Sequence, residues 1–248
     1  MQLIINGCNG KMGQVLSQIA SLKNKIVCGI SQEIDNTKQF PVYDDIFKFN
    51  GDADVLIDFS IATAVPKIID YCTQKKIPAV ICTTGIDNTT QKKIEYSAKI
   101  IPIMQSANMS IGINIVNLIL ERISKVLFDM NFDIEILEKH HNKKIDSPSG
   151  TALLLADTIN KSLENKLEYS FDRNHQRQKN ELGISCIRGG TIVGEHSIIF
   201  AGSNENIEIK HTAYSREIFA IGALKAAEFI INKSNGLYSM KDLFGDIL

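Results

Sequence analysis

The sequence predicts an α/β protein in which an N-terminal Rossmann-type, doubly wound parallel sheet precedes a C-terminal α+β domain with an open mixed sheet. Two observations predict the first domain. Short apolar runs alternate with segments of helical periodicity, and a glycine-rich turn directly follows the first run. A third observation predicts the second domain, because residues 132–138 alternate apolar and charged side chains as a half-buried strand does.

The first strand and its turn have the form of a dinucleotide-binding motif. Residues 3–6 suit a buried strand, residues 7–13 read G-C-N-G-K-M-G, and apolar residues then recur at helical spacing from Val15. The spacing is G-x-x-G-x-x-G, not the commoner G-x-G-x-x-G. Gly7 permits the tight turn, Gly10 lets the backbone approach a pyrophosphate, and Gly13 lets the helix pack on the strand. The turn therefore predicts a bound dinucleotide.

The second strand, Lys25–Ile30, leads to the position where an acidic ribose ligand is expected. Glu33 could hold the ribose hydroxyls of NAD, and Gln32 could tolerate a 2′-phosphate with help from Lys11. Both residues could also simply end the strand in solvent. The sequence leaves NADH and NADPH both open.

The alternation of strands and helices continues through the first half. Strands are predicted at residues 53–59, 78–82 and 101–104, and helices at residues 65–71 and 91–98. Ligands of such sheets lie beyond the carboxyl ends of the strands. The segments at those ends are Phe59-Ser60, Thr83-Thr84-Gly85 and Ser106-Ala107-Asn108-Met109. Their small and polar residues suit a nearby ribose and nicotinamide, although ordinary loops have the same composition.

The second half predicts further strands at residues 184–187, 191–200 and 206–211, with a helix at 151–163 covering one face of the sheet. Residues 164–183 are charged and weakly periodic, so we predict a loop there. Helical character returns at Ile218, and this helix could pack on the first domain. The predicted domains are residues 1–109 plus 217–248 for the dinucleotide and 110–216 for the substrate.

Residues 138–151, E-K-H-H-N-K-K-I-D-S-P-S-G-T, combine groups that suit an anionic molecule. His140 and His141 can donate protons near neutral pH, and Lys143 and Lys144 add positive charge. The stretch P-S-G-T then starts a helix, whose first N–H groups attract anions. The pattern predicts a site for a small, multiply anionic molecule beside an acid. A solvated basic turn before a capped helix is the alternative.

Composition limits the functional class. A net charge of −1 gives no indication of nucleic-acid binding, and no run approaches the roughly 18 apolar residues of a membrane helix. Glycine interrupts the N-terminal apolar run, so we expect no signal peptide. The 5 cysteines form no C-x-x-C pair, which favours reduced thiols in the cytoplasm and argues against a metal site.

The segment E-K-H-H-N-K-K-I-D-S-P-S-G-T-A resembles the signature of the 4-hydroxy-tetrahydrodipicolinate reductase (dihydrodipicolinate reductase) family of bacterial lysine biosynthesis. The resemblance covers nearly the whole chain, in the family's order and spacing, through the motifs G-C-N-G-K-M-G, D-F-S, T-T-G, S-A-N-M-S-I-G, R-G-G-T-I-V-G-E-H, F-A-G and H-T-A-Y-S-R-E-I-F-A-I-G-A. It implies a cytoplasmic enzyme that uses NADH, NADPH or both, and a homotetramer assembled through the second domain.

The resemblance also implies roles for individual residues. The proton donor falls on His140 and the second catalytic position on Lys144, while substrate contacts fall on His141, Gly150 and Thr151. To these the helix start adds Ser149 as a further donor to a substrate carboxylate. The cofactor contacts, with the two ribose candidates included, are Gly7, Cys8, Asn9, Gly10, Lys11, Met12, Gln32, Glu33, Thr83, Thr84, Gly85, Ser106, Ala107, Asn108 and Met109.

Some positions depart from the family pattern or stay undecided. Ser147 replaces the usual alanine, Lys11 stands where arginine is frequent, and the family's Glu-Arg pair is not clear at Gln32-Glu33. Glu195 and His196 are first interpreted as structural or tetramer-related, and second as site residues. The alternative functions are another Rossmann-type dehydrogenase, such as an aspartate dehydrogenase, or a non-catalytic nucleotide-sensing protein.

Overall fold

The structure is a computed structural model that describes residues 1–171 and 173–245. The chain divides into two compact units, each described here by itself. The first comprises Met1–Ile111 together with the described residues from Arg216 onward, and the second comprises Gly112–Ser215. Residue 172, in the predicted loop, and residues 246–248, in the predicted first domain, lie outside the described residues.

The elements of the described residues are these, in chain order. The strands are β1 (Gln2–Asn6), β2 (Lys25–Ile30), β3 (Val42–Tyr43), β4 (Val55–Asp58), β5 (Ala79–Ile81), β6 (Pro102–Gln105), β7 (Asp133–His140), β8 (Glu168–Ser170), β9 (Glu181–Arg188), β10 (Gly194–Ala201), β11 (Asn206–Ala213) and β12 (Gly236–Tyr238). The α-helices are α1 (Lys11–Ala20), α2 (Val65–Lys75), α3 (Asn88–Ser97), α4 (Ile111–Asp129), α5 (Gly150–Ser162), α6 (Glu217–Ile230) and α7 (Met240–Phe244).

The first unit contains a parallel sheet in the order β12-β6-β5-β4-β1-β2-β3. Its central strands are buried on both faces, which explains their continuous apolar runs. Leu3 and Ile5 face a core shared with α1 and α6, and Ile4 faces a second core shared with α2 and α3. The predicted doubly wound parallel sheet is confirmed. The edge strands β3 and β12 were not predicted, because two or three residues cannot establish a period.

Helix α6 lies against the strands of the first unit at very close range. A Cβ added at Gly222 would come within 1.7 Å of the Met109 carbonyl oxygen. Only glycine allows the helix backbone to approach that turn. The absence of a side chain at Gly222 therefore allows α6 to pack directly against the turn at Met109.

The second unit contains a mixed sheet in the order β11-β10-β7-β9-β8. Strand β10 is antiparallel to β11 and β7, whereas β9 is parallel to β7 and β8. Ile134 and Ile136 of β7 face a core that includes Leu120 of α4 and Leu155 of α5. The predicted open mixed sheet, covered on one face, is confirmed.

Two predictions for the second half need correction. The predicted loop at residues 164–183 contains β8 and the start of β9, because Leu167 and Leu182 are buried in the core and hold the chain against the sheet. The charged residues of this segment mask the apolar pattern in the sequence. In the structure one of them, Arg177, donates hydrogen bonds to Asp133 and Glu135 of β7. The predicted strand at 191–200 begins only at Gly194. Helix α4 was not predicted.

Candidate active site

One face of strand β7 changes from apolar to polar along its length. Successive side chains of a strand point to opposite faces, so Ile134, Ile136, Glu138 and His140 share the inner face. The two isoleucines belong to the core, and both Glu138 and His140 are buried as well. Glu138 and His140 therefore lie on the same buried face of β7 as the apolar core residues. The period of two in the sequence places Glu138 on the same face as His140, but the burial of Glu138 and its partners on other strands are visible only in the fold.

The sheet register brings further polar groups beside this pair. Cys186 and Arg188 of β9 lie opposite Glu138 and His140, respectively. On the other side, His196 of β10 lies opposite Glu138, and His211 of β11 lies opposite His196. The inner face of the sheet therefore carries a row of titratable side chains at the end of the apolar core.

The carboxylate of Glu138 is fully buried, and Arg188, Ser149, His140 and Cys186 all contact it. Arg188 donates from Nη1 at 2.8 Å and from Nη2 at 2.7 Å, and the Ser149 amide donates at 3.0 Å. His140 Nδ1 lies 2.6 Å from the same carboxylate. Burial raises the pKa of Glu138, but the bonds from Arg188, His140 and Ser149 outweigh it and lower the pKa to about 2. Glu138 is therefore ionised at neutral pH.

The ionised carboxylate fixes the proton arrangement of His140. A carboxylate only accepts hydrogen bonds, so Nδ1 carries a hydrogen and Nε2 is the nitrogen that gains or loses a proton. A Cβ added at Gly194 would lie 3.0 Å from this Nε2, so glycine leaves the space beside it open. Burial lowers the pKa of His140, and the neighbouring Glu138 offsets part of that effect. The arrangement provides a proton-transfer group with one available nitrogen.

The start of helix α5 is tied to the same cluster. Ser149 caps the helix, because its Oγ accepts the Ala152 amide hydrogen at 3.1 Å. The same Oγ lies 3.0 Å from His196 Nε2, and the rings of His140 and His196 are 5.2 Å apart. Burial, together with the nearby His140, lowers the pKa of His196 to about 4. The neutral His196 thus links the helix cap to the sheet.

The two residues with undecided roles, Glu195 and His196, lie on opposite faces of β10. His196 is on the inner face with His140, as described above. Glu195 is on the outer face, where it pairs with Lys210 at 2.8 Å and Lys139 at 3.4 Å. The structure brings only His196 to the candidate site.

The loop after β7 presents groups that bind a carboxylate. Lys144 Nζ lies 2.8 Å from the Asp146 carboxylate, and the nearby Gly150 amide also lowers the pKa of that carboxyl. The side chain of Asp146 thus occupies two groups that the sequence assigned to a substrate anion. Burial raises the pKa of Asp146, but Lys144 outweighs this and the pKa is lowered. Lys144 and the first amide of α5 therefore form a carboxylate-binding pair.

The remaining predicted substrate residues differ in their solvent exposure and in the hydrogen bonds that they already make. Ser149 uses its amide for Glu138 and its hydroxyl for Ala152 and His196, so its role in the structure is internal. Gly150 is exposed, with no heavy atom within 4 Å of an added Cβ. Thr151 and His141 are half-buried.

The glycine turn of the first unit is built by close backbone contacts. Gly7 has a φ of +77°, and a Cβ there would lie 2.6 Å from the Phe59 carbonyl oxygen. A Cβ at Gly13 would lie 2.1 Å from the Gly7 carbonyl oxygen. Gly10 is the N-cap residue of helix α1, so no side chain caps the helix, and the first turn contains no acidic residue. Its first amides suit a pyrophosphate.

A buried carboxylate joins the strand ends around this turn. Asp58 accepts hydrogen bonds from Asn6 Nδ2 at 2.6 Å, Thr83 Oγ1 at 2.7 Å and the Ser60 amide at 3.2 Å. These bonds connect the ends of β1, β4 and β5. The D-F-S motif lies at these strand ends, but Asp58 was not predicted as a site residue, because its burial is a property of the folded sheet.

The other predicted cofactor segments lie at the carboxyl ends of the strands. Thr84 and Gly85 are exposed just after β5. After β6, Ser106 Oγ donates to the Asn108 carbonyl at 2.8 Å, and Asn108 and Met109 are buried. Ala107, which lies between Ser106 and Asn108, is exposed. The sheet therefore brings these segments to the edge that also carries the glycine turn.

The predicted ribose position lies beside the glycine turn. Asn9 Nδ2 donates to the Glu33 carbonyl at 2.9 Å, and the side chains of Gln32, Glu33 and Lys11 are exposed. A further cation, Lys38, is half-buried and acts on Cys8 of the turn: burial raises the pKa of Cys8, and Lys38 opposes that effect. Sequence reasoning missed Lys38, because no pattern connects it to the turn.

Comparison with known proteins gives the family. Residues 1–109 match the family model described as "Dihydrodipicolinate reductase, N-terminus", and residues 112–244 match "Dihydrodipicolinate reductase, C-terminus". The chain belongs to the dihydrodipicolinate reductase family. A relative from Clostridium tetani, named 4-hydroxy-tetrahydrodipicolinate reductase, is 51% identical over 97% of this chain and 95% of its own. One from Caldanaerobacter subterraneus with the same name is 50% identical over 98% of both chains.

Solved structures show the same fold. A dipicolinate-bound dihydrodipicolinate reductase from Paenisporosarcina has a TM-score of 0.79 at 21% identity, covering 100% of this chain and 99% of its own. An aspartate dehydrogenase from Thermotoga maritima has a TM-score of 0.54 at 13% identity, covering 94% of this chain and 98% of its own. Both likenesses concern the fold alone. The family membership therefore rests on the sequence matches.

Proposed function

We propose that the protein is a 4-hydroxy-tetrahydrodipicolinate reductase of lysine (diaminopimelate) biosynthesis that uses NADH, NADPH or both. The observation that carries the proposal is His140. Its ring is held by the buried Glu138 carboxylate, and it lies on the strand that leads directly to the carboxylate-binding pair of Lys144 and the Gly150 amide. Relatives about half identical over nearly the whole chain have this name.

The cofactor is assigned to the first domain, residues 1–109 plus 217–248. The open amides at the start of α1 suit its pyrophosphate, and Thr83 and Ser106 lie at strand ends that suit its ribose and nicotinamide. When bound, the nicotinamide supplies the hydride, and the protein supplies orientation and charge. Asp58 keeps the strand ends around this site together.

His140 is assigned the proton. Loss of the substrate's 4-hydroxyl as water leaves the unsaturated ring; addition of a hydride to that ring pushes electrons toward the ring nitrogen, and a proton must then reach carbon. His140 delivers it from Nε2, because Nδ1 is held by Glu138. Burial lowers the pKa of His140 in the substrate-free protein, and the negative charge of a bound dicarboxylate raises it again. The acid is thus charged most strongly when substrate is present.

The second domain, residues 110–216, is assigned the substrate. A substrate carboxylate takes the place of the Asp146 carboxylate at Lys144 and the Gly150 amide, and Thr151 and His141 complete the contacts. Ser149 contributes by holding the helix start in place. The internal carboxylate supports this assignment, because the groups that bind Asp146 have the charge and direction that a substrate carboxylate requires.

The location and assembly of the protein follow the family. We assign it to the cytoplasm, as a homotetramer formed through the second domain. The five cysteines are free, four of them buried, which fits a reducing compartment. Among the described residues, no helix is long and apolar enough to cross a membrane.

The test is a nicotinamide absorbance assay. Purified protein should oxidise NADH or NADPH when given the product of dihydrodipicolinate synthase, and it should not act on aspartate. Turnover of aspartate alone would make the protein an aspartate dehydrogenase. Cofactor binding without turnover of either compound would favour a nucleotide-sensing protein.

A further inference from the structure

A buried ion-pair network surrounds the proton-transfer group of the second unit. Glu138 has no exposed surface, and its two oxygens contact Arg188, His140 and the Ser149 amide. A single buried carboxylate thus connects two strands, β7 and β9, with the first residue of the helix start. Burying charge is unfavourable, and the attraction within a buried ion pair offsets that cost only when the geometry is good, so stability alone is weak support for such a pair.

We propose that Glu138 is the positioning residue of His140, and that Arg188 and the Ser149 amide hold Glu138 in place for this purpose. The proposal rests on the proposed function, because it gives His140 the proton. Glu138 selects the His140 tautomer with hydrogen on Nδ1 and leaves Nε2 as the active nitrogen. It also prevents rotation of the ring.

The geometry supports this role in two ways. Arg188 contacts both oxygens of Glu138, at 2.7 and 2.8 Å, which is the fork geometry that fixes a carboxylate in one plane. A Cβ at Gly194 would lie 3.0 Å from Nε2 of His140, so glycine at this position keeps a side chain away from that nitrogen. Nδ1 is therefore held by Glu138, while no side chain at position 194 covers Nε2.

The charge on the network is balanced around His140. Burial lowers the pKa of His140, Glu138 opposes that effect, and the charges of Lys144 and Arg188 add to the lowering. The titratable groups around this ring, on every neighbouring element, are Glu138 on β7, Cys186 and Arg188 on β9, His196 on β10, His211 on β11 and Lys144 in the following loop. Only Glu138 bonds directly to the ring among the contacts given above.

The experiment combines nitrogen NMR of the histidine rings with steady-state kinetics. The chain has 5 histidines, so the spectrum of His140→Gln assigns the His140 signals by difference. Wild type should show neutral His140 with hydrogen on Nδ1. In Glu138→Gln the tautomers should mix, and the His140 titration midpoint should fall by about 1 unit or more, because Arg188 then acts without its partner.

The kinetic readout separates positioning from folding. Glu138→Gln should lower kcat by roughly 10²-fold or more while the KM values for substrate and cofactor stay within a few-fold, since orientation of the acid is lost but binding groups remain. Arg188→Lys keeps the charge without the fork and should fall between this variant and wild type. Glu168→Gln, at an exposed position on β8 of the same sheet, is the matched control and should resemble wild type.

Either of two results would overturn the proposal. The first is a folded Glu138→Gln protein in which His140 keeps the wild-type tautomer and titration. The second is a wild-type protein whose neutral His140 ring has its hydrogen on Nε2. If Glu138→Gln does not fold, the wild-type tautomer decides the question. A protein with the expected tautomer that does not turn over the proposed substrate would refute the proposed function and leave the role of Glu138 standing.

Discussion

The proposed ligand sites of the two units are built from different parts of the chain. The glycine turn of the first unit uses backbone, and its shape depends on contacts such as Gly13 to the Gly7 carbonyl, within seven consecutive residues. The site of the second unit uses side chains, and Glu138 and Arg188 are 50 positions apart. A local backbone site can be found as a motif. A site assembled by sheet register requires the fold, so the two regions should also respond differently to mutation.

The largest effect is expected at His140. His140→Gln should lower kcat by roughly 10²–10⁴-fold, the range for a lost general acid, with fold and cofactor affinity unchanged. Steady-state kinetics and cofactor titration measure the two quantities. His175→Gln is the control, because its ring is exposed. Activity of His140→Gln within a few-fold of wild type would remove His140 from the mechanism.

Gly13→Ala tests the backbone site. A Cβ there would lie 2.1 Å from the Gly7 carbonyl oxygen, so α1 must shift. We expect a loss of about 1–3 kcal/mol in unfolding free energy, with weaker cofactor binding. Gly10→Ala is the matched control. Its Cβ would lie 3.2 Å from the same oxygen, so it should weaken cofactor binding with a smaller loss of stability. Equal stability of the two variants would contradict this account of the turn.

Acid should destabilise the side-chain site. The pKa of His196 falls from 6.5 to about 4 on folding, so the unfolded chain binds its proton at higher pH than the folded chain does. The contribution of His196 is complete above pH 6.5 and is lost as the pH falls toward 4, a change of about 3 kcal/mol. Glu138, with a lowered pKa, adds to the loss below pH 4.5.

Urea unfolding at several pH values measures this dependence. His196→Gln should flatten the curve between pH 6.5 and 4, while His175→Gln should leave it unchanged. A wild-type slope that survives His196→Gln in full would show that another group carries the titration.

The smallest effect concerns cofactor choice. Lys11 and Lys38 add positive charge near the turn, and Glu33 offers an acid for the ribose, so both NADH and NADPH should support turnover. The ratio of their kcat/KM values should stay below about 100-fold, which corresponds to roughly 2.7 kcal/mol. Lys38→Ala should shift the ratio toward NADH, with Lys11→Ala as the comparison. A larger wild-type ratio would mean that one of these residues dominates.

Much of the fold and part of the site could be predicted from the sequence. Period-two and helical patterns identified β7 and α1. The stretch from His140 to Thr151 predicts the acid and the anion-binding groups, and these assignments stay predictions. Glu138 and Asp58 were not assigned to a site, because their importance comes from burial and from partners on other strands. Ser149 was assigned to the substrate, but in the structure its amide and hydroxyl serve Glu138, Ala152 and His196. Helix capping and sheet register decide such details.

The central claim is that the second unit binds a dicarboxylate at Lys144 and the start of α5, separately from the cofactor. Inhibition by pyridine-2,6-dicarboxylate, measured against each substrate in turn, tests it most directly. The compound should compete with the dicarboxylate substrate but not with NADH or NADPH. Lys144→Ala should weaken the inhibition by loss of charge, and Gly150→Val by blocking the exposed amide. Competition with the cofactor, or undiminished inhibition of both variants, would contradict the account.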